Sequence, residues 1–306
     1  MDLRARTSRF AQPTPVLLFA TVGWALTYPL VKDSLAHTST GAFLTVRFAV
    51  GALTALPFAL RAGLDRTSVL RGAFLGLLLW LGFALNTWGL VFTTATRTGF
   101  ITSLCVVLVP VFGVLFFRLR AHLAAYLGAG LATAGLFVMS APSLFSGSGS
   151  LLGDGLVTVS ALVLSFHLLF TGRFAPKVNP AVAVFAQIAV VTLLSALSLP
   201  FEEVRFELTP ALVGTILFTG VFASALFVYG QLWAQARVSA VRAALIFTLE
   251  PLLSALFSRL LLDDPLPPTT IAGGGLIVAA VLVGELWPRL AARRAAVPAR
   301  PVRPAP

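Results

Sequence analysis

Residues 88–118 read WGLVFTTATRTGFITSLCVVLVPVFGVLFFR, and residues 229–259 read YGQLWAQARVSAVRAALIFTLEPLLSALFSR. The two stretches align without a gap, and eight of the thirty-one aligned pairs are identical. Apolar composition alone explains several of these pairs. The alignment also places Pro110 on Pro251 and Arg118 on Arg259, which points to an internal duplication.

The composition is that of a membrane protein. Of the 306 residues, 58% are hydrophobic and only 11% are charged, and the mean hydropathy is +0.95. Soluble domains carry about 25% charged residues. A helix that crosses about 30 Å of hydrocarbon needs roughly 20 apolar residues. The chain therefore has room for ten such spans joined by short connections.

The apolar segments predict an all-α integral membrane protein with ten transmembrane helices arranged as two inverted five-helix repeats. Because five spans is an odd number, the second repeat must enter the bilayer from the opposite face. Secondary transporters are often built this way, with a substrate site between the repeats near the membrane midplane. The predicted spans are 14–32, 41–60, 70–92, 98–117, 122–141, 152–171, 180–200, 210–234, 239–262 and 267–288.

The predicted organisation has five parts. A cytoplasmic N-terminal segment, 1–13, precedes a first repeat over 14–141, a linker over 142–151 and a second repeat over 152–288. The final part, 289–306, is a basic, proline-rich cytoplasmic tail. The basic start followed by an apolar stretch could mimic a signal peptide, but the absence of a clear cleavage site favours a retained first span.

The net charge of +11 is explained by membrane topology, not by nucleic-acid binding. On the ten-span prediction, seventeen basic residues fall on one side, four fall on the other, and Arg47 falls inside a span. Positive charge concentrates in cytoplasmic loops, so both termini are expected in the cytoplasm. Cys105 is the only cysteine, which excludes an intramolecular disulfide and a cysteine-rich metal site.

The duplicated stretches, followed by LGAGLATAGLFVM and IAGGGLIVAAVLV, resemble EamA repeats of the drug/metabolite transporter superfamily. The resemblance covers roughly residues 14–288. It implies a ten-span exporter or facilitator in a bacterial inner membrane, and one branch of the superfamily exports aromatic amino acids. Family repeats carry an acidic residue after the fourth helix. The second repeat has Asp263 and Asp264 there, whereas the first has Arg118 and Arg120.

Four ionisable residues fall within predicted spans: Arg47, His167, Arg242 and Glu250. Such groups are costly in a bilayer, by about 2.5–3.5 kcal/mol on insertion scales, and need a partner or a watery cavity. Arg47 could snorkel, pair with Glu250 or attract a substrate carboxylate, and Arg242 is expected to snorkel. The candidates for coupling or gating are Arg47, His167, Glu250, Pro110 and Pro251, against the alternative that they only lock or shape helix packing.

Prolines and aromatic residues complete the candidate site. Pro110 and Pro251 each remove a backbone hydrogen bond, and kinks at equivalent repeat positions would face one central chamber. Aromatic, amide and hydroxyl side chains predicted to lie at depth would suit an amphipathic ligand, although aromatic residues also form interfacial belts and face lipid. The predicted substrate-binding residues are Trp24, Tyr28, Trp80, Phe83, Asn86, Thr87, His167, Gln187, Tyr229 and Trp233.

The function predicted from the sequence is export of small amphipathic metabolites, with aromatic amino acids favoured, by alternating access. Efflux of cationic drugs is the alternative. An intramembrane enzyme would need clustered catalytic groups, which the chain does not contain. A channel would need a ring of equivalent charges, which one chain does not supply but an oligomer could. No cofactor, metal or nucleic acid is expected. The expected partners are the substrate and membrane lipid. The sequence leaves the oligomeric state open and is compatible with a monomer.

Overall fold

The computed structural model is helical and contains the ten spans that the sequence predicts. It describes residues 12–93, 95–119, 123–145 and 150–295, without the side chains of 90, 91, 95, 96, 143 and 288–295. Most of the N-terminal segment, the middle of the linker and the end of the basic tail therefore lie outside the described residues. The spans, numbered in chain order, are Pro13–Ser34, Thr40–Ala62, Arg66–Gly89, Arg97–Phe117, Leu123–Pro142, Leu151–Lys177, Pro180–Phe201, Pro210–Gln235, Ala240–Leu262 and Pro268–Trp287.

The spans follow the predicted bounds closely, with three larger differences. The helix of the tenth span continues to Ala295, seven residues beyond the predicted limit and into the predicted tail. The third span begins at Arg66, four residues early, because Asp65 caps it by accepting a hydrogen bond from the Ser68 amide at 2.8 Å. The sixth span is a helix to Phe174 and continues as a 3₁₀ turn to Lys177. The helix of the fifth span also continues to Leu144, so the linker is shorter than predicted.

Contacts between span ends define the two faces of the molecule. Thr14, at the start of the first span, donates a hydrogen bond to Glu285, near the end of the tenth, so both ends of the bundle lie on one face. We call this the terminal face and the opposite one the distal face. On the distal face Lys32 pairs with Asp264 at 3.3 Å, which joins the first and ninth spans.

The acidic connection between spans seven and eight closes part of the distal face. The carboxylate of Glu202 accepts hydrogen bonds from the amides of Gly41 and Ala42, both at 3.1 Å, at the start of the second span. Ser39 donates to the same carboxylate at 3.0 Å. An anion at a helix N-terminus satisfies otherwise unpaired amides and complements the helix dipole. Glu202 therefore anchors this connection to the second span.

Three spans change their helical pattern within their length, apart from the 3₁₀ turns at span ends. The fourth is interrupted at Leu104 and the ninth at Thr248. The eighth contains a π-helical segment, Phe218–Leu226. Pro110 lies within the continuous helix Cys105–Phe117, so the interruption of the fourth span falls six residues before this proline.

The structure corrects the register of the duplication. The helices of the fourth span begin at Ala95 and end at Phe117, and those of the ninth begin at Ala240 and end at Leu262, which is an offset of 145. Their left-handed caps, Arg118 and Asp263 with φ of 52° and 55°, have the same offset. The gapless sequence alignment has an offset of 141.

The gapless alignment is therefore wrong by four residues, about one helical turn. A shift of one turn keeps each residue on nearly the same helix face, so the apolar pattern fits both registers. In the structural register Arg97 corresponds to Arg242, and Pro110 and Pro251 are not equivalent. The predicted symmetric pair of proline kinks is accordingly absent from these two described spans.

Two further features shape the interior. The fifth and tenth spans form an extensive interface in which Gly135 meets Gly273, and a Cβ added to Gly273 would lie 2.3 Å from the Gly135 carbonyl oxygen.

In the terminal half, a buried apolar plug joins five spans. Its members, 0% to 7% exposed, are Leu17, Val109, Leu168, Leu169, Ala234, Ala240, Val241, Ala243, Ala244 and Ile246.

Candidate functional site

Trp24 lies on the inward face of the first span, directly distal to the apolar plug. Its ring packs edge-on against Phe247 at 5.4 Å and against Phe227 at 6.3 Å. Its indole N–H donates to the Ala223 carbonyl at 2.9 Å. Ala223 belongs to the π-helical segment of the eighth span. Trp24 therefore covers the distal side of the apolar plug.

Arg47 is buried at 9% exposure on the second span. Its Nε donates to the Ser224 hydroxyl at 3.2 Å, and its guanidinium lies over the Phe48 ring at 5.1 Å. Ser224 is in the same π-helical segment as Ala223. Arg47 has no carboxylate within salt-bridge distance among the described residues. The predicted direct pair with Glu250 is thus not formed, and the burial of Arg47 differs from a snorkelling position.

Tyr28 interacts with both interior charges. Its side chain interacts electrostatically with the Glu250 carboxylate on the ninth span and with Arg47 on the second. Glu250 is half-buried and follows the interruption at Thr248. The structure therefore brings Tyr28, Arg47 and Glu250 together from three different spans. We refer to these three residues as the polar cluster.

The polar cluster is accessible at Tyr28. Tyr28 is four residues after Trp24, so the two share one face of the first span. The side chain of Tyr28 is 55% exposed. The helix Leu249–Leu262, the distal half of the ninth span, contains no fully buried residue and packs mainly on the first and tenth spans. The accessible part of the cluster therefore lies on the distal side of Trp24.

Aromatic residues from the third span form another wall. Trp80 and Phe83 pack against the core cluster that contains Phe48, and the rings of Phe83 and Phe48 are 5.9 Å apart. Asn86 donates to the Thr102 hydroxyl of the fourth span at 2.7 Å. Thr87 donates to the Phe83 carbonyl within its own helix at 2.9 Å. Trp24, Trp80 and Phe83 thus meet at one core cluster, while Asn86 ties together the third and fourth spans.

His167 and Gln187 are partners of each other. Both are buried, at 6% and 2% exposure, and their side-chain nitrogens lie 3.4 Å apart between spans six and seven. A neutral imidazole can accept from the amide NH₂ in this geometry. A second buried amide on the eighth span, Gln235, donates to the Leu168 carbonyl at 3.1 Å. The structure therefore places the two predicted site residues in contacts between helices.

Tyr229 and Trp233 lie apart from the polar cluster, in a groove that they share with Phe19 and Phe227. The groove runs between the first and eighth spans and opens on the side of the bundle. Tyr229 is 38% exposed, and the Trp233 ring carries the Arg237 guanidinium at 4.0 Å. These two predicted site residues therefore face a lateral groove in the terminal half.

Two partly buried ion pairs were not predicted from the sequence. Near the distal face Arg97 forms an ion pair with Asp154 and donates to the Leu144 carbonyl at 3.0 Å. Near the terminal face Arg242 forms a bidentate pair with Glu285 and donates to Thr14 at 2.8 Å. Arg242 therefore does not snorkel as predicted. The signals in the sequence were an acid in the first turn of the sixth span and an acid near the end of the tenth.

The chemistry available to the site is recognition of a ligand by charge, hydrogen bonds and aromatic contact. Across the ranges that the structure describes, no group of three or more His, Cys, Asp or Glu side chains could hold a metal ion. The polar cluster instead offers a cation, a carboxylate and a phenol beside aromatic rings. Such a combination of apolar walls with a few convergent polar groups is typical of small-molecule sites.

Comparisons with known proteins agree with this architecture. The model of the EamA-like transporter family matches residues 15–141 and 151–284. An uncharacterized transporter from Archaeoglobus fulgidus is 32% identical over 263 residues, covering 86% of this chain and 82% of the relative. A second uncharacterized transporter from the same organism is 25% identical over 272 residues, covering 88% of this chain and 96% of the relative.

The same fold occurs in a solved structure. The crystal structure of a protein that is 18% identical superposes with a TM-score of 0.76 and covers 91% of this chain and 98% of its own. At this identity the likeness concerns the fold alone. The family match covers nearly the whole chain in two segments, and both Archaeoglobus relatives are described as transporters. The chain is an integral membrane protein that belongs to the EamA-like transporter family.

Proposed function

We propose that this transporter exports small amphipathic metabolites, with aromatic amino acids favoured, by alternating access between its two inverted repeats. The observation that carries the proposal is the position of the polar cluster. Arg47, Tyr28 and Glu250 lie near Trp24, and the side chain of Tyr28 is accessible. A ligand with an apolar ring and a polar head matches these surroundings.

The asymmetry of the interior supports a transport cycle. The terminal half is closed by the apolar plug and by the Arg242–Glu285 pair, whereas the side chain of Tyr28 in the distal half is accessible. We assign the terminal face to the cytoplasm of a bacterium, because basic residues dominate it. In this assignment the structure corresponds to the outward-facing state that releases an exported substrate. A single chain contains the whole proposed path.

Efflux from cells tests the proposal. Cells that overproduce the protein, loaded with labelled phenylalanine or tryptophan, should lose the label faster than cells with an empty vector. An Arg47→Gln variant is compared with the wild type at equal membrane abundance and should give slower efflux. Equal efflux from wild-type and empty-vector cells for every aromatic amino acid would contradict the proposed substrate class.

Efflux of cationic drugs is the second candidate, and Glu250 is the observation that favours it. A carboxylate at mid-depth without a cationic partner among the described residues could attract a lipophilic cation. Arg47 also interacts with Tyr28, and its buried positive charge would repel a cationic ligand, which opposes this reading. Parallel efflux assays with ethidium separate the two candidates, since the amino-acid proposal expects no difference from the empty vector with this dye.

A further inference from the structure

The polar cluster contains two opposite charges that do not neutralise each other by direct contact. Arg47 and Glu250 lie on the second and ninth spans, and neither forms an ion pair with any described residue. Tyr28 interacts electrostatically with both charges. Charges at membrane depth ordinarily pair with one another or face water. The arrangement places one positive and one negative group near Tyr28 without an ion pair between them.

The guanidinium of Arg47 has donors that the protein does not use. It carries five N–H donors, and the structure gives a hydrogen bond only from Nε, to Ser224 at 3.2 Å. No described acceptor binds the two terminal nitrogens, and neither is among the described atoms that are fully enclosed without a partner. These nitrogens therefore reach accessible space. A planar fork of N–H donors matches a carboxylate in bidentate geometry.

Glu250 offers the complementary group. Its carboxylate is half-buried and interacts electrostatically with Tyr28, and it keeps acceptor capacity because an ionised carboxylate has about four lone-pair sites. A ligand ammonium could therefore bind Glu250 while the ligand carboxylate binds Arg47. The partly buried ring of Trp24 lies beside Phe247, three residues before Glu250 in the ninth span.

We infer that the polar cluster is a recognition site for zwitterionic α-amino acids, in which Arg47 binds the carboxylate, Glu250 binds the ammonium, and the ring of Trp24 contacts an apolar side chain. This inference rests on the proposed transport function and narrows its substrate class. A ligand that carries only one of the two charged groups leaves the other protein charge unpaired. Buried charges left unpaired on binding reduce affinity strongly, so the site discriminates by charge pattern.

The test uses three ligands that share a phenyl ring. Purified full-length protein in proteoliposomes exchanges labelled phenylalanine, and unlabelled competitors are titrated. The competitors are phenylalanine, 3-phenylpropionate, which lacks the ammonium, and 2-phenylethylamine, which lacks the carboxylate. For the wild type, phenylalanine should compete at concentrations about tenfold lower than either analogue, the factor expected for the loss of one good polar contact.

The variants should change this order in opposite ways. Arg47→Gln should remove the advantage of phenylalanine over 2-phenylethylamine and retain its advantage over 3-phenylpropionate. Glu250→Gln should do the reverse. Arg61→Gln and Glu203→Gln remove exposed charges and serve as matched controls that keep the wild-type order. If Arg47→Gln fails to fold, Arg47→Lys keeps the charge without the fork, and it should weaken phenylalanine competition and spare 2-phenylethylamine.

The outcomes distinguish failure of the zwitterion site from failure of the proposed transport function. Equal competition by all three ligands in the wild type, or an unchanged order in both variants, overturns the zwitterion site and leaves aromatic transport in place. Absence of any phenylalanine exchange, together with absence of tryptophan and tyrosine exchange, overturns the proposed function and the site with it.

Discussion

Arg97 and Arg242 form equivalent bridges at opposite faces of the protein. Each is the third residue of its helix, in the fourth span of its repeat. Each joins the first span of the other repeat to the fifth span of its own: Arg97 through Asp154 and Leu144, Arg242 through Thr14 and Glu285. The acid lies on the sixth span in one bridge and on the tenth in the other. The inverted repeat thus provides a fastening at each face.

The terminal bridge should help to hold the terminal half closed. Glu285→Gln removes one charge of a pair that is mostly shielded from water, and it leaves Arg242 without its carboxylate. We expect this change to expose the apolar plug more often. In a Cys105→Ala background, thiol labelling of Ala244→Cys should become several-fold faster, since Ala244 is only 4% exposed in the closed state.

The control for this labelling experiment is Glu203→Gln, which removes an exposed carboxylate on the distal side. It should leave the labelling rate of Ala244→Cys unchanged. An unchanged rate in Glu285→Gln as well would show that the apolar plug alone keeps the terminal face closed.

The interface between the fifth and tenth spans should be sensitive to one methyl group. Gly273→Ala would place its Cβ 2.3 Å from the Gly135 carbonyl oxygen, so the helices must separate. Overpacking of this kind costs about 1–3 kcal/mol. We expect a clearly lower melting temperature in detergent. Gly275→Ala is the matched control, because no heavy atom lies within 4 Å of its added Cβ, and its melting temperature should stay near that of the wild type.

The hydrogen bond from Trp24 to the π-helical segment should contribute to stability and transport. Trp24→Phe keeps an aromatic ring but removes the donor to the Ala223 carbonyl. The loss of such a bond costs about 0.5–1.5 kcal/mol. We expect lower thermal stability and reduced exchange of phenylalanine. Trp88→Phe, at a residue that is 57% exposed, should change neither measurement; equal effects of the two changes would argue against a specific role for Trp24.

His167 should support packing and not proton coupling. His167→Gln can still exchange a hydrogen bond with Gln187, whereas His167→Leu leaves that buried amide without a partner at a cost of about 1–3 kcal/mol. We therefore expect His167→Gln to melt near the wild type and His167→Leu to melt lower. Transport by His167→Gln should respond to an imposed pH gradient as the wild type does. A lost response in this stable variant would assign proton coupling to His167.

The sequence predicted the number of spans, their order and most of their limits because apolar length is a strong signal in membrane proteins. It could not give the repeat register, since a shift of four residues preserves the helix face. Pro110 and Pro251 reinforced the wrong register. The interruptions at Leu104 and Thr248 and the π-helical segment leave no comparable signature, because they depend on packing between spans.

The candidate site was predicted in part for the same reason. Helical spacing put Trp24 and Tyr28 on one face, and the structure has Trp24 on the inward side and Tyr28 in the polar cluster. Periodicity alone could not separate them from Tyr229 and Trp233, which face a lateral groove, because these spans are apolar on every side. Partners distant in the chain, such as Arg242 with Glu285 or Arg47 with Ser224, became visible only with the fold.

Exchange of labelled phenylalanine in proteoliposomes tests the central claim most directly when wild type, Trp80→Ala and Tyr229→Ala are compared at equal protein content. Trp80 packs against the core cluster that contains Phe48, whereas Tyr229 lines the lateral groove. We predict saturable exchange by the wild type. The exchange rate should fall about tenfold or more in Trp80→Ala and stay near normal in Tyr229→Ala. Exchange that survives in Trp80→Ala and disappears in Tyr229→Ala would contradict the central path and move the substrate site to the lateral groove.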